Sequence, residues 1–216
     1  MIVQLAFNRN VGALERSVAI LRRWPDLREK VIIEIGNPLL KVHGLALVHK
    51  VMRLWHGPIF IDAKITDGFD TEIGNYPARA YVSVLARTDL QTVKRAAERP
   101  RVVIDLLGER RSFDLFRRIR ARPYGVMLHL GRDEENAFDR FIQFREAGKL
   151  KSKYGIKIWM GGGFDAHNFQ SGFFNGADVV IINYRDGPWK GFRIADLPQI
   201  IKTLRGSAKR QSPYNL

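Results

Sequence analysis

Cysteine is absent from the 216 residues. That excludes disulfide frameworks, thiolate nucleophiles and cysteine-based zinc sites. Acidic residues are scarce: 22 Asp and Glu face 36 Lys and Arg, a formal net charge of +14. No apolar run approaches the roughly 18 residues that a membrane-crossing helix needs. Met1–Asn8 has neither the basic segment nor the small-residue cleavage site of a signal peptide. These absences point to a soluble, cytoplasmic protein with no membrane partner. What is present is apolar: hydrophobic residues make up 45% and aromatics 11%, enough for a large core, which excludes a mainly disordered chain.

The positive charge could serve nucleic acid, a phosphorylated small molecule or a heavily charged surface. Its densest stretch is Glu109–Arg122, where Phe113, Phe116 and Ile119 recur at helical spacing. That pattern places the arginines on the solvated side of an amphipathic helix. A nucleic-acid partner is therefore not expected.

Short β-branched runs recur along the chain: Ile2–Phe7, Val31–Ile35, Ile59–Lys64, Ala80–Leu85, Val102–Leu107, Tyr124–His129, Ile156–Met160 and Val179–Asn183. Most are continuously apolar, as strands covered by helices must be. Helical stretches are expected at Val11–Arg23, His43–Trp55, Leu90–Arg99, Ser112–Ala121, Ala137–Ala147 and Leu197–Leu204. Eight strands alternating with helices leave an open doubly wound sheet or a (β/α)8 TIM barrel. The count of eight, and the lack of a Gly-x-Gly-x-x-Gly turn after the first strand, favour the barrel. No linker divides the chain, so residues 1–206 read as one α/β domain, with 207–216 as a loose basic tail.

Barrels of this kind carry their chemistry at the C-terminal ends of the strands. Asn8, Glu34, Asp62-Ala-Lys64-Ile-Thr-Asp67, Asp105, His129, Gly161-Gly162-Gly163 and Asn183-Tyr184-Arg185 occupy those ends. Asp62 and Lys64 lie two apart on a strand and so both face inward. Interior charges are costly unless paired, and here they can pair. An internal salt bridge closing the barrel mouth would account for them, but Glu34, Asp105 and His129 on neighbouring strands turn the reading towards catalysis. Gly161–Gly163 and the following Phe164-Asp-Ala-His suit a phosphate held by backbone N–H groups and a short helix N-terminus; a tight turn needing glycine is the plainer alternative. His43, His49 and His56 are spaced too widely for a metal pair, and His167 reads as a surface residue. Trp24, Trp55, Trp159 and Trp189 read as packing.

Asp62-Ala-Lys64-Ile-Thr-Asp67 resembles the Asp-x-Lys-x-x-Asp motif of the orotidine 5′-monophosphate decarboxylase suprafamily. That group includes 3-hexulose-6-phosphate synthase and 3-keto-L-gulonate-6-phosphate decarboxylase. Orotidylate decarboxylases carry Lys where this chain has Glu34, whereas Ile33-Glu34-Ile35-Gly36-Asn37-Pro38-Leu39 and His129 resemble the other two branches. Asp105 and Gly161 are similar to the synthase, and Arg132 to the ketogulonate enzyme. The resemblance implies a lyase acting on a sugar phosphate through an enediolate. It implies Mg²⁺ on Glu34 and Asp62, catalysis by Asp62, Lys64, Asp67 and His129, and substrate contacts from Asn8, Asp105 and Arg132. Gly162, Gly163, Asn183 and Arg185 would hold phosphate. It also implies a homodimer with shared active sites, Asp67 crossing into the partner and Phe69, Ile73 and Tyr76 supplying exposed apolar contact. The leading function is thus aldol chemistry of the synthase type. The alternatives are decarboxylation of 3-keto-L-gulonate 6-phosphate or orotidylate, and, since Asn8 replaces the usual Asp, an impaired barrel that binds phosphorylated ligand or RNA.

Overall fold

In the computed structural model, residues 1–67, 75–99, 101–109, 112–119, 122–131, 141–185, 187 and 190–206 are described. Eight parallel strands close into a barrel: β1 (Ile2–Phe7), β2 (Val31–Ile35), β3 (Ile59–Ile65), β4 (Tyr81–Leu85), β5 (Val102–Asp105), β6 (Gly125–His129), β7 (Lys157–Gly161) and β8 (Val179–Asn183). Each strand pairs with the next, and β8 returns to β1, with Leu5 opposite Ile182. The described helices are α1 (Val11–Leu21), α2 (Asn37–Leu54), α3 (Leu90–Ala97), α4 (Ser112–Ile119), α5 (Phe141–Tyr154), α6 (Gln170–Phe174) and α7 (Leu197–Gly206). This is the expected (β/α)8 barrel. Among the described residues no helix is long and apolar enough to cross a membrane.

Period two along the strands sorts the core into two compartments. Residues such as Leu5, Ile33, Ile61, Val84, Ile104 and Ile158 pack outward against the helices. Ala6, Ile32, Phe60, Val103, Met127, Trp159, Val179 and Ile181 fill the barrel interior. Apolar residues on both faces explain the unbroken hydrophobic runs. The polar strand ends sit above this inner plug.

Several boundaries differ from the sequence expectation. The helix after β2 begins at Asn37 rather than His43, because Pro38 suits a first helical turn. It kinks at Gly44 (φ 58°) before running on to Leu54. α5 continues past Ala147 to Tyr154, with Gly148 inside it. The segment from Phe164 opens no helix at once; Asp165 and Asn168 organise a turn, and α6 starts only at Gln170. The C-terminal tail lies outside the described residues.

Candidate active site

β3 departs from regular pairing just where its charges lie. Ile61 pairs with Val82 and Ile65 with Val84, so residues 62–64 bulge opposite Ser83. Lys64 takes a left-handed backbone (φ 50°), a conformation costing a non-glycine residue about 1–3 kcal/mol. Ser83, fully buried on β4, stitches the bulge together. Its Oγ accepts from the Lys64 backbone N–H at 2.9 Å and donates to Asp62 Oδ1 at 2.9 Å. Both side chains do face inward, as period two predicts, but through a bulge that it does not.

Lys64 Nζ lies 2.8 Å from Asp105 Oδ2 and 3.2 Å from Asp62 Oδ1. Burial opposes its charge, but the two carboxylates outweigh that cost and hold its pKa above the ordinary lysine value. Asp105 is wholly buried; despite that, His129 and Lys64 keep its carboxyl far below the usual range. Ionised, it can only accept hydrogen bonds. His129 Nδ1, 3.2 Å from each Asp105 oxygen, must therefore donate. Burial works against a charged imidazole, yet the Asp105 charge and hydrogen bond raise the His129 pKa overall. The Leu107 backbone N–H adds a 3.0 Å bond to Asp105 Oδ1.

Glu34 completes the floor. Burial and the Asp62 charge push its carboxyl up to about 8, against pulls from Gln4, Lys64 and His129. Its Oε2 accepts from the Gln4 amide at 2.6 Å, and Gln4 Oε1 accepts from Trp159 Nε1 at 3.0 Å. Two buried carboxyl groups on adjacent strands, once both are ionised, are hard oxygen donors suited to Mg²⁺. Among the described residues no group of three His, Asp or Glu could hold a metal. A cation here would therefore complete its shell with substrate and water oxygens.

Glu34, Asp62, Lys64 and His129 open into one pocket of about 320 Å³, lined also by Asn8, Gly161, Gly162 and Asn183, whereas Asp105, expected to contact substrate, is wholly buried and does not line it. Gly162 (φ 104°) and Gly163 (φ 65°) adopt conformations open to glycine. A β-carbon on Gly162 would meet Leu130 at 2.7 Å, so the turn needs glycine on steric grounds as well. Asn8 Nδ2 donates to Asn183 Oδ1 at 3.3 Å, tying the ends of β1 and β8 together. Gly163 and Arg185 do not line this pocket. The Arg185 backbone N–H donates to Phe192 O at 2.9 Å, and its buried Nε has no hydrogen-bond partner among the described residues. A larger groove of about 1040 Å³ lies among Met1, α6 and α7, away from every motif residue.

Asp67 is exposed and does not line the pocket. Arg132, Phe69, Ile73 and Trp189 lie outside the described residues. Tyr76, expected to be exposed, instead packs against the core. His167 is exposed and sits 3.3 Å from the Gln199 amide, consistent with a surface role. Gln4 and Ser83 were not singled out from the sequence. Within a strand each reads as an ordinary polar residue, and the only available signal was its inward parity.

No family model matches the chain. In sequence it is 26% identical over 188 residues to the bifunctional enzyme Fae/Hps of Methanothrix thermoacetophila, covering 83% of this chain and 47% of that protein. The chain thus spans just under half the length of the curated relatives it matches. In structure it superposes on 3-hexulose-6-phosphate synthase from Salmonella typhimurium with a TM-score of 0.71 at 24% identity, covering 95% and 99% of the two chains. For 3-keto-L-gulonate-6-phosphate decarboxylase from Vibrio cholerae the TM-score is 0.65 at 17% identity, covering 98% and 99%. In sequence the chain is thus similar to Fae/Hps proteins, and in fold to 3-hexulose-6-phosphate synthase and 3-keto-L-gulonate-6-phosphate decarboxylase.

Proposed function

We propose that the chain is a carbon–carbon lyase of the 3-hexulose-6-phosphate synthase type, joining ribulose 5-phosphate and formaldehyde in a reversible aldol reaction. The observation that carries this reading is that Lys64 and His129, both held by the buried Asp105, share one pocket with Glu34 and Asp62. Likeness to the Fae/Hps proteins supports the same choice.

In the synthetic direction a proton leaves C1 of ribulose 5-phosphate and an enediolate forms. The enediolate carbon then bonds the formaldehyde carbon, and the former carbonyl oxygen takes up a proton. His129 is suited to carry these protons. With Nδ1–H committed to Asp105, Nε2 is the nitrogen left for exchange. Lys64 stays protonated and is held in place before reaction, so it offers fixed positive charge rather than basicity. Glu34 and Asp62 would hold Mg²⁺, which when bound supplies further positive charge for the developing anion. Asn8, Asn183 and the Gly162 turn line the pocket rim, where a phosphorylated tail is expected.

The test is to assay ribulose 5-phosphate with formaldehyde beside 3-keto-L-gulonate 6-phosphate and orotidylate, with Mg²⁺ and then with excess chelator. Aldol turnover that disappears with the chelator is expected. Turnover of 3-keto-L-gulonate 6-phosphate alone would move the chemistry to decarboxylation. Full aldol turnover in chelator would remove the cation from the site.

A further inference from the structure

Beneath Glu34 lies a buried polar pair to which the proposed reaction assigns no role. Gln4 on β1 is fully buried, and Trp159 on β7 is 1% exposed. The Gln4 amide is engaged at both ends: Nε2 donates to Glu34 Oε2 at 2.6 Å, and Oε1 accepts from the Trp159 indole at 3.0 Å. An indole N–H can only donate, whereas an amide can present either end. Trp159 therefore determines which end of Gln4 meets it, and the NH₂ group is left facing Glu34. Turned the other way, the amide would set oxygen against oxygen at Glu34 and N–H against N–H at Trp159.

The indole is itself fixed. Tyr81 and Tyr124 pack edge-on against it with ring centroids 5.7 and 6.1 Å away. Gly125 on β6 leaves the room it fills, since a β-carbon there would overlap the ring. The neighbouring inward residues Ala6, Ile32, Phe60, Val103 and Met127 are apolar, so the amide at position 4 stands out among them.

We propose that Trp159 and Gln4 form a positioning relay for Glu34. The indole orients the amide, the amide holds one carboxylate oxygen, and the other oxygen is thereby presented to a divalent cation in the pocket. The proposal rests on reading Glu34 as a cation ligand. Neither residue touches substrate, so both are positioning residues.

The experiment measures Mn²⁺ binding to the full chain without substrate, by water-proton relaxation, and follows indole N–H resonances by NMR. Gln4→Met keeps the volume and removes both bonds; it is expected to weaken Mn²⁺ binding by about 10- to 100-fold, as loss of a ligand's supporting bond typically does. Trp159→Phe keeps a ring and removes only the N–H. It is expected to weaken binding less, by about 3- to 10-fold. In Gln4→Met the Trp159 indole resonance should move while the overall fold persists. Unchanged affinity in a folded Gln4→Met overturns the relay and leaves Glu34 as a ligand. If Gln4→Met does not fold, Trp159→Phe decides, and unchanged affinity there overturns the relay. A wild-type chain that binds no Mn²⁺ overturns Glu34 as a ligand, and the relay with it.

Discussion

His129 Nδ1 stands 3.2 Å from both oxygens of Asp105, while one of those oxygens is 2.8 Å from Lys64 Nζ. A single buried carboxylate thus orients the His129 imidazole and anchors the Lys64 ammonium. Losing it would disturb both roles at once, and the two can be separated by pH.

Asp105→Asn is expected to lower the His129 pKa and cut turnover by about 100-fold or more, the scale of a general acid–base contribution. The stability effect has a defined window. The raised His129 pKa contributes stability that is complete below 6.5 and fades as pH rises through the folded value. The depressed Asp105 pKa contributes stability present above 3.8 and lost as pH falls through the folded value. The Tm gap between wild type and Asp105→Asn should therefore be widest between 3.8 and 6.5. It should narrow at higher pH without vanishing, because the Lys64 pair persists there. A gap that widens above neutral pH would show that the His129 pair does not contribute in this way.

Ser83→Ala should destabilise the protein by about 1–3 kcal/mol, because it strips the buried Lys64 N–H and Asp62 Oδ1 of their shared partner. Turnover should fall too, since the bulge aims Lys64. Ser83→Thr keeps the hydroxyl and should recover most of both losses. Thermal melts and initial rates on the three proteins check this; an alanine variant with wild-type Tm and rate would make the Ser83 bridge incidental.

Gly125→Ala tests the barrel plug. The added methyl would overlap Trp159, and such overpacking costs about 1–3 kcal/mol. For a chain of this size that is a fall in Tm of about 2–12 °C. Gly148→Ala, inside α5, meets nothing within 4 Å among the described residues and should instead leave stability equal or higher. Equal melting of the two variants would place the Trp159 ring elsewhere.

The strands were readable because a parallel barrel buries both faces of each strand, leaving runs such as Val31–Ile35 with no polar break except Glu34. Those exceptions, together with the Asp62–Asp67 motif, marked the pocket floor. Gln4 and Ser83 escaped notice because a lone polar residue in a strand looks the same whether it meets water or a buried carboxylate. Their partners, Glu34 and Asp62, are 30 and 21 residues away in the chain. The Lys64 bulge was equally hidden, since period two presumes regular pairing. The helix expected to end at Ala147 instead runs through Gly148 to Tyr154, because packing of its apolar face carries it on.

Asp67 supplies the last prediction. It follows Lys64 by three residues, yet it is exposed and does not line its own chain's pocket. A motif carboxylate in that position can serve catalysis if a second copy lies against it. In a two-fold dimer each subunit would lend one Asp67 and receive one. Lys64→Ala and Asp67→Ala should each be inactive alone. When the two variants are mixed, heterodimers contain one site with both wild-type residues. After random exchange about half the dimers are mixed, each with one intact site of two, so about a quarter of wild-type activity should return. Sedimentation of the active species checks the dimer itself. If the mixed dimers form and stay inactive, or if the active species sediments as a monomer, Asp67 acts within its own chain or not at all.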